Sequence, residues 1–162
     1  MQLTPPGEGV ETPTHIAQSV LYRRWKGYAP PGTCTLVPLA NTPCAGNKYG
    51  CRFIALCPTM RVPHSVTWNR DVVYNCTWSL LTAIDQHNAS AAAGDAEAKI
   101  RKVLMTGLAT GVGGVSSERC AQQMALAVKH YLDASTNAEK WSSLQWQDAL
   151  GYDRETSRTH SL

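Results

Sequence analysis

The spacing of apolar and polar residues along the chain predicts four helices. The first covers residues 13–26, where proline suits the first helical position and apolar side chains recur every three or four residues. A longer helix follows Thr67, whose hydroxyl can cap it, and a third begins after Ser116 or Ser117. The last is expected over residues 139–150. Because each helix has an apolar stripe, each is expected to pack against a common core.

Three shorter apolar runs are bounded by turn residues and are predicted to be strands: residues 33–39, 51–57 and 102–109. Pro38 limits the pairing of the first strand, whereas the second is apolar on both faces towards its end, as in a central strand. A long helix separates the second strand from the third. By the right-handed crossover rule we expect a three-layer α/β/α fold with a mainly parallel central sheet.

The length and composition of the chain fit one globular domain. It has 162 residues, of which 43% are hydrophobic and 17% are charged, so there is enough apolar surface for a core. Residues 1–12 are rich in proline and glycine and are predicted to be a flexible N-terminal segment. Residues 13–150 make up the predicted α/β domain, and the polar residues 151–162 are predicted to be a flexible tail.

The charge pattern restricts the partners of the chain. The formal net charge of +3 is mild and the basic residues are scattered, which argues against polymeric nucleic acid. No apolar run is long enough to span a membrane, and the N-terminus does not resemble a signal peptide. We therefore expect no membrane partner and a cytoplasmic or nuclear location.

The chain has six cysteines: Cys34, Cys44, Cys51, Cys57, Cys76 and Cys120. In an intracellular protein they are expected to be reduced thiols, most of them small core residues. Their spacing includes no C-x-x-C pair, and no histidine follows at the distance seen in zinc fingers. We therefore predict no metal site, no cofactor and no structural disulfide.

A glycine-rich turn between the third predicted strand and the third predicted helix carries the most specific chemistry. It consists of Thr110, Gly111, Val112, Gly113 and Gly114. Glycine permits close approach of the backbone to a ligand, and successive amides before a helix N-terminus can bind phosphate without a cationic side chain. The lysine of a P-loop and the third glycine of the dinucleotide fingerprint are absent. The alternative is that the glycines only make a tight strand-to-helix turn.

The segment that contains this turn has the sequence KVLMTGLATGVGGVSSERCAQQMALAVKHYL. It resembles the strand, glycine-rich second ligand loop and following helix of the macro domain, the ADP-ribose-binding module. The central strand of that family and the following loop are similar to CRFIALCPTMRVP, and a family helix falls at the position of VVYNCTWSLLTAI. The resemblance covers about residues 33–132, and within it the chain is similar to a divergent group of fungal macro-domain-like proteins.

In that family the second loop wraps the diphosphate and the distal ribose through main-chain amides. The resemblance therefore implies that the five turn residues contact ADP-ribose or a related phosphate-bearing nucleotide, and that an ADP-ribosylated protein is a partner. If the chain is an enzyme, the implied activity is that of an ADP-ribosyl hydrolase or an ADP-ribose phosphate phosphatase. No catalytic residue is assigned, because the catalytic groups of many members lie in a region without a counterpart here.

The first strands of the family, with an adenine-contacting acid, an asparagine-rich segment and a first glycine-rich loop, have no counterpart before Thr33. The macro-like fold is therefore expected to be incomplete at its N-terminus, with three strands and an open sheet edge. The alternative function is a non-enzymatic interaction module, or a truncated fragment, that a partner or self-association completes. Weak binding and self-association are then expected together.

Several other residues carry reactive or aromatic groups, and an ordinary structural role is favoured for each. Cys120 lies in the first turn of a predicted helix, where its thiol pKa could be lowered, yet it belongs to the apolar stripe. His64 and Asp71 could edge the pocket, but they also fit surface or capping roles. Trp68 and Trp78 could stack on a base, although aromatic side chains usually fill core volume.

Overall fold

The computed structural model of the chain describes residues 11–91 and 98–162, and this part is built mainly of helices. In chain order the elements are α1 (Glu11–Trp25), β1 (Thr35–Pro38), β2 (Phe53–Leu56), α2 (Val72–Ser90), α3 (Ser117–Thr136), α4 (Ala138–Ser142), α5 (Trp146–Ser157) and a C-terminal 3₁₀ helix (Arg158–Ser161). The prediction of helices at the positions of α1, α2 and α3 is confirmed. Residues 1–10, most of the segment predicted to be flexible, lie outside the described residues.

The start of α3 shows why its prediction succeeded. Ser116 is the N-cap residue, and its hydroxyl accepts a hydrogen bond from the backbone N–H of Arg119 at 3.0 Å. Glu118 lies in the first turn, where a negative charge favours the helix dipole. These signals are local in the chain, so they can be recognised without knowledge of the tertiary fold.

The predicted three-layer α/β/α fold with a mainly parallel central sheet is wrong. The described residues contain one sheet of two strands, β1 and β2, which run antiparallel with Thr35 opposite Leu56 and Pro38 opposite Phe53. The crossover rule did not apply, because residues 102–109 form no strand after α2, so no pair of parallel strands flanks that helix. The chain between β1 and β2 contains no helix and returns directly as a loop. The macro-like architecture implied by the resemblance is therefore not the fold of the described chain.

The loop between β1 and β2 is held by one side chain. The amide nitrogen of Asn47 donates to the carbonyl oxygens of Cys44 at 3.1 Å and Cys51 at 2.7 Å. Its amide oxygen accepts from the backbone N–H groups of Tyr49 and Cys51. Because asparagine can satisfy several backbone groups at once, this loop closes on itself and returns β2 beside β1.

The third predicted strand, residues 102–109, is also wrong. Within the described residues this segment belongs to no sheet, and its apolar side chains are exposed: Val103 to 47%, Leu104 to 98% and Met105 to 39%. Its start is anchored because Asn88 exchanges two hydrogen bonds with the backbone of Ile100. An apolar run forms a strand only where a neighbouring strand offers a ladder, and none of the described strands does so here.

Two apolar clusters make up the described core. The first, between α2, α3 and the preceding loops, consists of Val66, Val72, Val73, Cys76, Val115 and Cys120. The second, between α1 and the hairpin, consists of Ala17, Val20, Leu21, Val37 and Leu56. Leu108 and Ala109 pack against the first cluster, so the core holds the base of the glycine-rich turn while the turn itself reaches the surface.

Residues 139–162, predicted as one helix and a flexible tail, form three short helical elements instead. The chain makes a short α4, restarts at Trp146 as α5, and continues through the 3₁₀ helix to Ser161. Trp141 of α4 stacks near Trp78 of α2, with ring centroids 5.6 Å apart, and near Tyr152 of α5 at 4.6 Å. These rings fix α4 and α5 against the α2–α3 pair, so residues 151–162 pack on the domain.

Asp133 of α3 is the hydrogen-bonding centre of this aromatic cluster. Its carboxylate accepts from Trp141 Nε1 at 2.9 Å, Lys140 Nζ at 3.1 Å and Tyr152 Oη at 3.0 Å. These donors stabilise the charged carboxylate and hold the pKa of Asp133 well below its usual value. The hydrogen bond from Trp141 has the largest effect, followed by those from Lys140 and Tyr152.

We expect Asp133→Asn to lower the melting temperature at neutral pH and to have less effect in acid. Since the pKa is depressed in the folded state, the carboxylate contributes stability above its unfolded pKa near 3.8, and this contribution is lost as the pH falls through the folded pKa. Thermal unfolding of the variant and the wild type between about pH 7 and about pH 2 measures the difference. Asp153→Asn, an exposed change on α5, is the control. A pH-independent difference would contradict this account.

Candidate functional site

The five residues predicted to bind ligand form one continuous turn in front of α3. The backbone N–H of Gly114 donates to the carbonyl of Gly111 at 3.0 Å, and that of Val115 donates to Ala109 at 3.1 Å. Thr110 closes the start of the turn through its hydroxyl, which donates to the carbonyl of Gly107 at 3.2 Å. The turn therefore has a defined geometry of its own.

Two of the glycines are required by the turn itself. A Cβ on Gly113 would lie 2.5 Å from the carbonyl oxygen of Ala109, which is too close for any side chain. Gly114 has φ of +73°, a conformation that side chains disfavour. At Gly111, by contrast, a Cβ would meet no atom within 4 Å and φ is not positive. A close contact thus explains glycine at position 113, and the backbone conformation explains it at position 114. Neither explains Gly111, where a side chain would have room.

The backbone amides of the turn divide into two groups. Those of Gly114 and Val115 donate within the turn, as described above. Those of Thr110, Gly111, Val112 and Gly113 take part in none of the hydrogen bonds among residues 11–91 and 98–162. Thr110, Gly111 and Val112 are also exposed, whereas Gly113 is buried. Consecutive amides without an acceptor, next to the positive end of a 20-residue helix, create a local preference for anions.

A polar cleft of about 630 Å³ lies beside the turn. It is lined by Thr67, Arg70, Arg119, Ser157, His160 and Ser161. The segment before α2 contacts both the turn and the cleft. Val66 N–H donates to the carbonyl of Gly113 at 2.9 Å. The methyl carbon of Thr67, a lining residue of the cleft, lies 3.6 Å from the point where a Cβ atom on Gly114 would be. The two features therefore share one wall.

Two arginines give the cleft its charge. Arg119 donates from Nη2 to the carbonyl of His160, and its Nε is buried with no hydrogen-bond partner among the described residues. Arg70 is exposed and makes no hydrogen bond or ion pair through its side chain within the same residues. The nearby carboxylate of Asp71 is paired with His160 Nε2 at 2.5 Å. Guanidinium groups without a carboxylate partner favour phosphate or carboxylate ligands.

Gln123 of α3 holds the walls of the cleft together. Its side chain is fully buried, and Nε2 donates to the carbonyl of Arg70 at 2.7 Å and to Thr159 Oγ1 at 2.8 Å. Oε1 accepts from the backbone N–H of Tyr74 at 3.2 Å. One amide thus joins α3, the C-terminal 3₁₀ helix and the start of α2 with the segment before it. These parts of the chain carry the lining residues except Ser157, which is the last residue of α5.

Sequence reasoning missed most of this cleft. Ser157, His160 and Ser161 belong to the segment that was predicted to be a flexible tail. One signal could have revealed them: Gln145 and Asp148 form a reciprocal capping box at the start of α5, a spacing visible in the sequence. A helix starting there carries these residues back towards α3. No local pattern marks Arg70 and Arg119, which only the tertiary fold brings together.

The other candidates have ordinary surroundings in the structure. Cys120 is buried, and burial raises its thiol pKa, which disfavours a role as nucleophile. His64 is exposed and hydrogen-bonds the neighbouring carbonyl of Ser65. Trp78 packs among aromatic rings, as the structural interpretation predicted, whereas Trp68 is exposed. Asp71 alone lies beside the cleft, in its pair with His160.

No group of three or more histidine, cysteine, aspartate or glutamate side chains among the residues that the structure describes is arranged to hold a metal ion. None of the described helices combines the length and apolarity needed to cross a membrane.

The resemblance to the macro domain rests on the segments quoted above and stays a prediction, as does the ligand that it implies. The geometry of the turn is compatible with both alternatives left open by the sequence, since Gly113 and Gly114 are explained by the backbone alone and Gly111 is not. Comparison of the chain with known proteins gives no match to a family model, to a curated protein or to a solved structure.

Proposed function

We propose that the chain binds a phosphate-bearing, nucleotide-like ligand, with ADP-ribose as the first candidate. Its diphosphate would lie on the turn formed by Thr110, Gly111, Val112, Gly113 and Gly114. The observation that carries this proposal is the run of four amides, from Thr110 to Gly113, that have no acceptor among the described residues and lie in front of α3. The three exposed ones among them, at Thr110, Gly111 and Val112, can donate to phosphate oxygens without breaking internal hydrogen bonds.

The surroundings of the turn support an anionic ligand. The absence of a side chain at Gly111 allows a phosphate to approach the backbone closely, and no packing contact requires glycine there. Arg70 and Arg119 stand across the shared wall at Thr67, so a second anionic group of the same ligand can reach them. No acid, base or nucleophile is assigned at the turn, so the proposal is one of binding; hydrolysis of ADP-ribosyl groups stays an expectation from the resemblance.

A ligand series tests the proposal by calorimetry. We expect ADP-ribose and ADP to bind and adenosine and ribose to give no measurable heat, because the phosphates carry the interaction. The affinity for ADP-ribose should also fall as the salt concentration rises, since charge contributes to it. Equal binding of adenosine and ADP-ribose would contradict the placement of the diphosphate on the turn, and no binding by any of the four compounds would contradict the function.

The second candidate function is an interaction module that is completed by another copy of the same chain. The observation that favours it is the apolar run Val103, Leu104 and Met105, which is exposed and belongs to no sheet in the described structure. A segment whose backbone has no strand partner can pair with the same segment of a second copy, and the apolar side chains would be removed from water by that pairing.

Leu104→Asp is expected to weaken this self-association, because it would place a carboxylate in the apolar contact. The dissociation constant of the dimer should rise at least tenfold, which corresponds to about 1.4 kcal/mol. Sedimentation equilibrium over a range of concentrations measures the constant. Val62→Asp changes an exposed apolar residue of another loop and is the matched control. A wild-type chain that stays monomeric over the whole range would remove this second candidate.

A further inference from the structure

The antiparallel register of the hairpin brings two cysteines opposite each other. The ladder ends where Thr35 of β1 pairs with Leu56 of β2, and Cys34 and Cys57 are the residues one position beyond that end. Neither cysteine is fully exposed or fully buried. The two thiols therefore meet at the end of the sheet that faces away from the β1–β2 loop.

The type of pairing at this position favours a short distance. Residues opposite each other in antiparallel strands alternate between hydrogen-bonded and non-hydrogen-bonded pairs. Leu39 N–H donates to Arg52 at 2.9 Å, which identifies that pair as hydrogen-bonded. Because the two types of pair alternate along the register, Thr35 and Leu56 also form a hydrogen-bonded pair. The position beyond them, that of Cys34 and Cys57, is then of the non-hydrogen-bonded type. Pro38, which has no N–H, falls on a non-hydrogen-bonded position, as this count requires.

The backbone spacing of such a pair suits a disulfide. Opposite residues of a non-hydrogen-bonded pair have Cα atoms about 4.5 Å apart. Disulfides span Cα distances of roughly 4.4–6.8 Å, so a pair with this spacing can be joined without moving the strands. The reduced thiols already influence each other, because each is the largest single cause of the shift in the pKa of the other.

We infer that Cys34 and Cys57 form an oxidation site, at which a hydroperoxide converts the two thiols into a cross-strand disulfide. The Cys57 thiolate attacks one peroxide oxygen, which forms a sulfenic acid and releases hydroxide when the O–O bond breaks. The sulfur of Cys34 then attacks the sulfur of Cys57, and the sulfenic oxygen leaves with a proton as water. Two thiols and one hydrogen peroxide thus become one disulfide and two waters.

The two thiols have different parts in this reaction. The hydrogen bond from Cys34 lowers the pKa of Cys57 and raises that of Cys34, so Cys57 is the sulfur that ionises first. Cys76 lies close enough for its charge to affect Cys34, but burial raises its pKa to about 12 and its thiol donates to the carbonyl of Pro58. Cys76 is therefore a buried bystander, whereas Cys34 is the resolving thiol.

The test uses the folded wild-type chain, so it does not depend on a variant that folds. The chain is treated with hydrogen peroxide, its remaining thiols are alkylated, and it is digested with trypsin without reduction. We expect the peptide of residues 27–48 to be joined to that of residues 53–61, with the loss of two free thiols and release of both peptides by reductant. Cys44→Ser is the matched control, because residues 27–48 also contain Cys44, and it should leave the cross-link intact.

Other products would overturn the inference. Asn47 holds the backbone of Cys44 and Cys51 together, so a cross-link between residues 27–48 and 49–52 would identify that pair as the site of oxidation. A cross-link to the peptide containing Cys76 would exclude Cys34 as the resolving thiol. Oxidation of Cys57 to sulfinic acid without any cross-link would show that the opposed thiols do not react with each other. Cys34→Ser should prevent the predicted cross-link, and its persistence there would also contradict the assignment.

Discussion

Gln123→Leu is expected to lower the free energy of unfolding by about 3 kcal/mol. The leucine keeps the volume of the side chain but cannot bond the carbonyl of Arg70, the hydroxyl of Thr159 or the backbone N–H of Tyr74, which Gln123 now engages in a fully buried position. Tyr74 N–H is one of the first amides of α2, and Asp71, the N-cap residue, makes no side-chain cap. Gln123 therefore caps α2 from another helix, and its loss leaves that amide unsatisfied.

Urea denaturation with linear extrapolation measures the change for Gln123→Leu. Gln122→Leu is the matched control, because the neighbouring glutamine is exposed on the same helix and should alter stability by less than about 0.5 kcal/mol. Since Gln123 joins the walls of the cleft, the variant should also lose protection from hydrogen exchange around the 3₁₀ helix before the rest of the chain unfolds. Equal effects of the two substitutions would show that the buried amide network contributes little.

Gly113→Val should reduce the affinity for ADP-ribose by at least tenfold, about 1.4 kcal/mol, and should also destabilise the fold. The new Cβ would be placed 2.5 Å from the carbonyl oxygen of Ala109, so the turn must move and its amides change position relative to the proposed diphosphate. Calorimetry measures the affinity, and thermal unfolding measures the stability of the same protein sample.

Gly111→Val separates binding from folding. A Cβ at Gly111 meets open space in the free protein, so stability should be nearly unchanged, whereas the side chain would obstruct a phosphate that approaches the same amides. Loss of affinity in both variants, with loss of stability only at Gly113, is the expected pattern. Unchanged affinity in Gly113→Val would contradict the proposed position of the diphosphate.

The parts of the fold that were predicted correctly depend on signals within a few residues. The stripe of α1 and the cap at Ser116 are examples, because an apolar spacing and a hydroxyl before a helix act locally. The sheet failed because strand pairing is a tertiary property. Residues 51–57 were predicted as a central strand of a parallel sheet, yet the short chain before them, closed by Asn47, makes an antiparallel hairpin.

The candidate site shows the same division. Thr110 to Gly114 are consecutive, so the sequence alone placed them in one turn before a helix, as the structure has them. Arg70 and Arg119 reach one cleft only because α2 and α3 pack together and the C-terminal residues return over them. Gln123, which fixes this arrangement, looks in the sequence like any polar residue of an amphipathic helix. Its role depends on partners far away in the chain, so no local pattern could have predicted it.

The most direct measurement is a titration of the isotopically labelled chain with ADP-ribose, followed by ¹⁵N–¹H correlation spectra. The account predicts that the backbone amides of Thr110, Gly111, Val112 and Gly113 shift most and approach saturation with one common dissociation constant, because they belong to the turn on which the diphosphate is proposed to lie. Adenosine at the same concentrations should leave them unchanged. Absence of shifts at these four amides up to millimolar ADP-ribose, or shifts confined to another surface, would contradict the central claim.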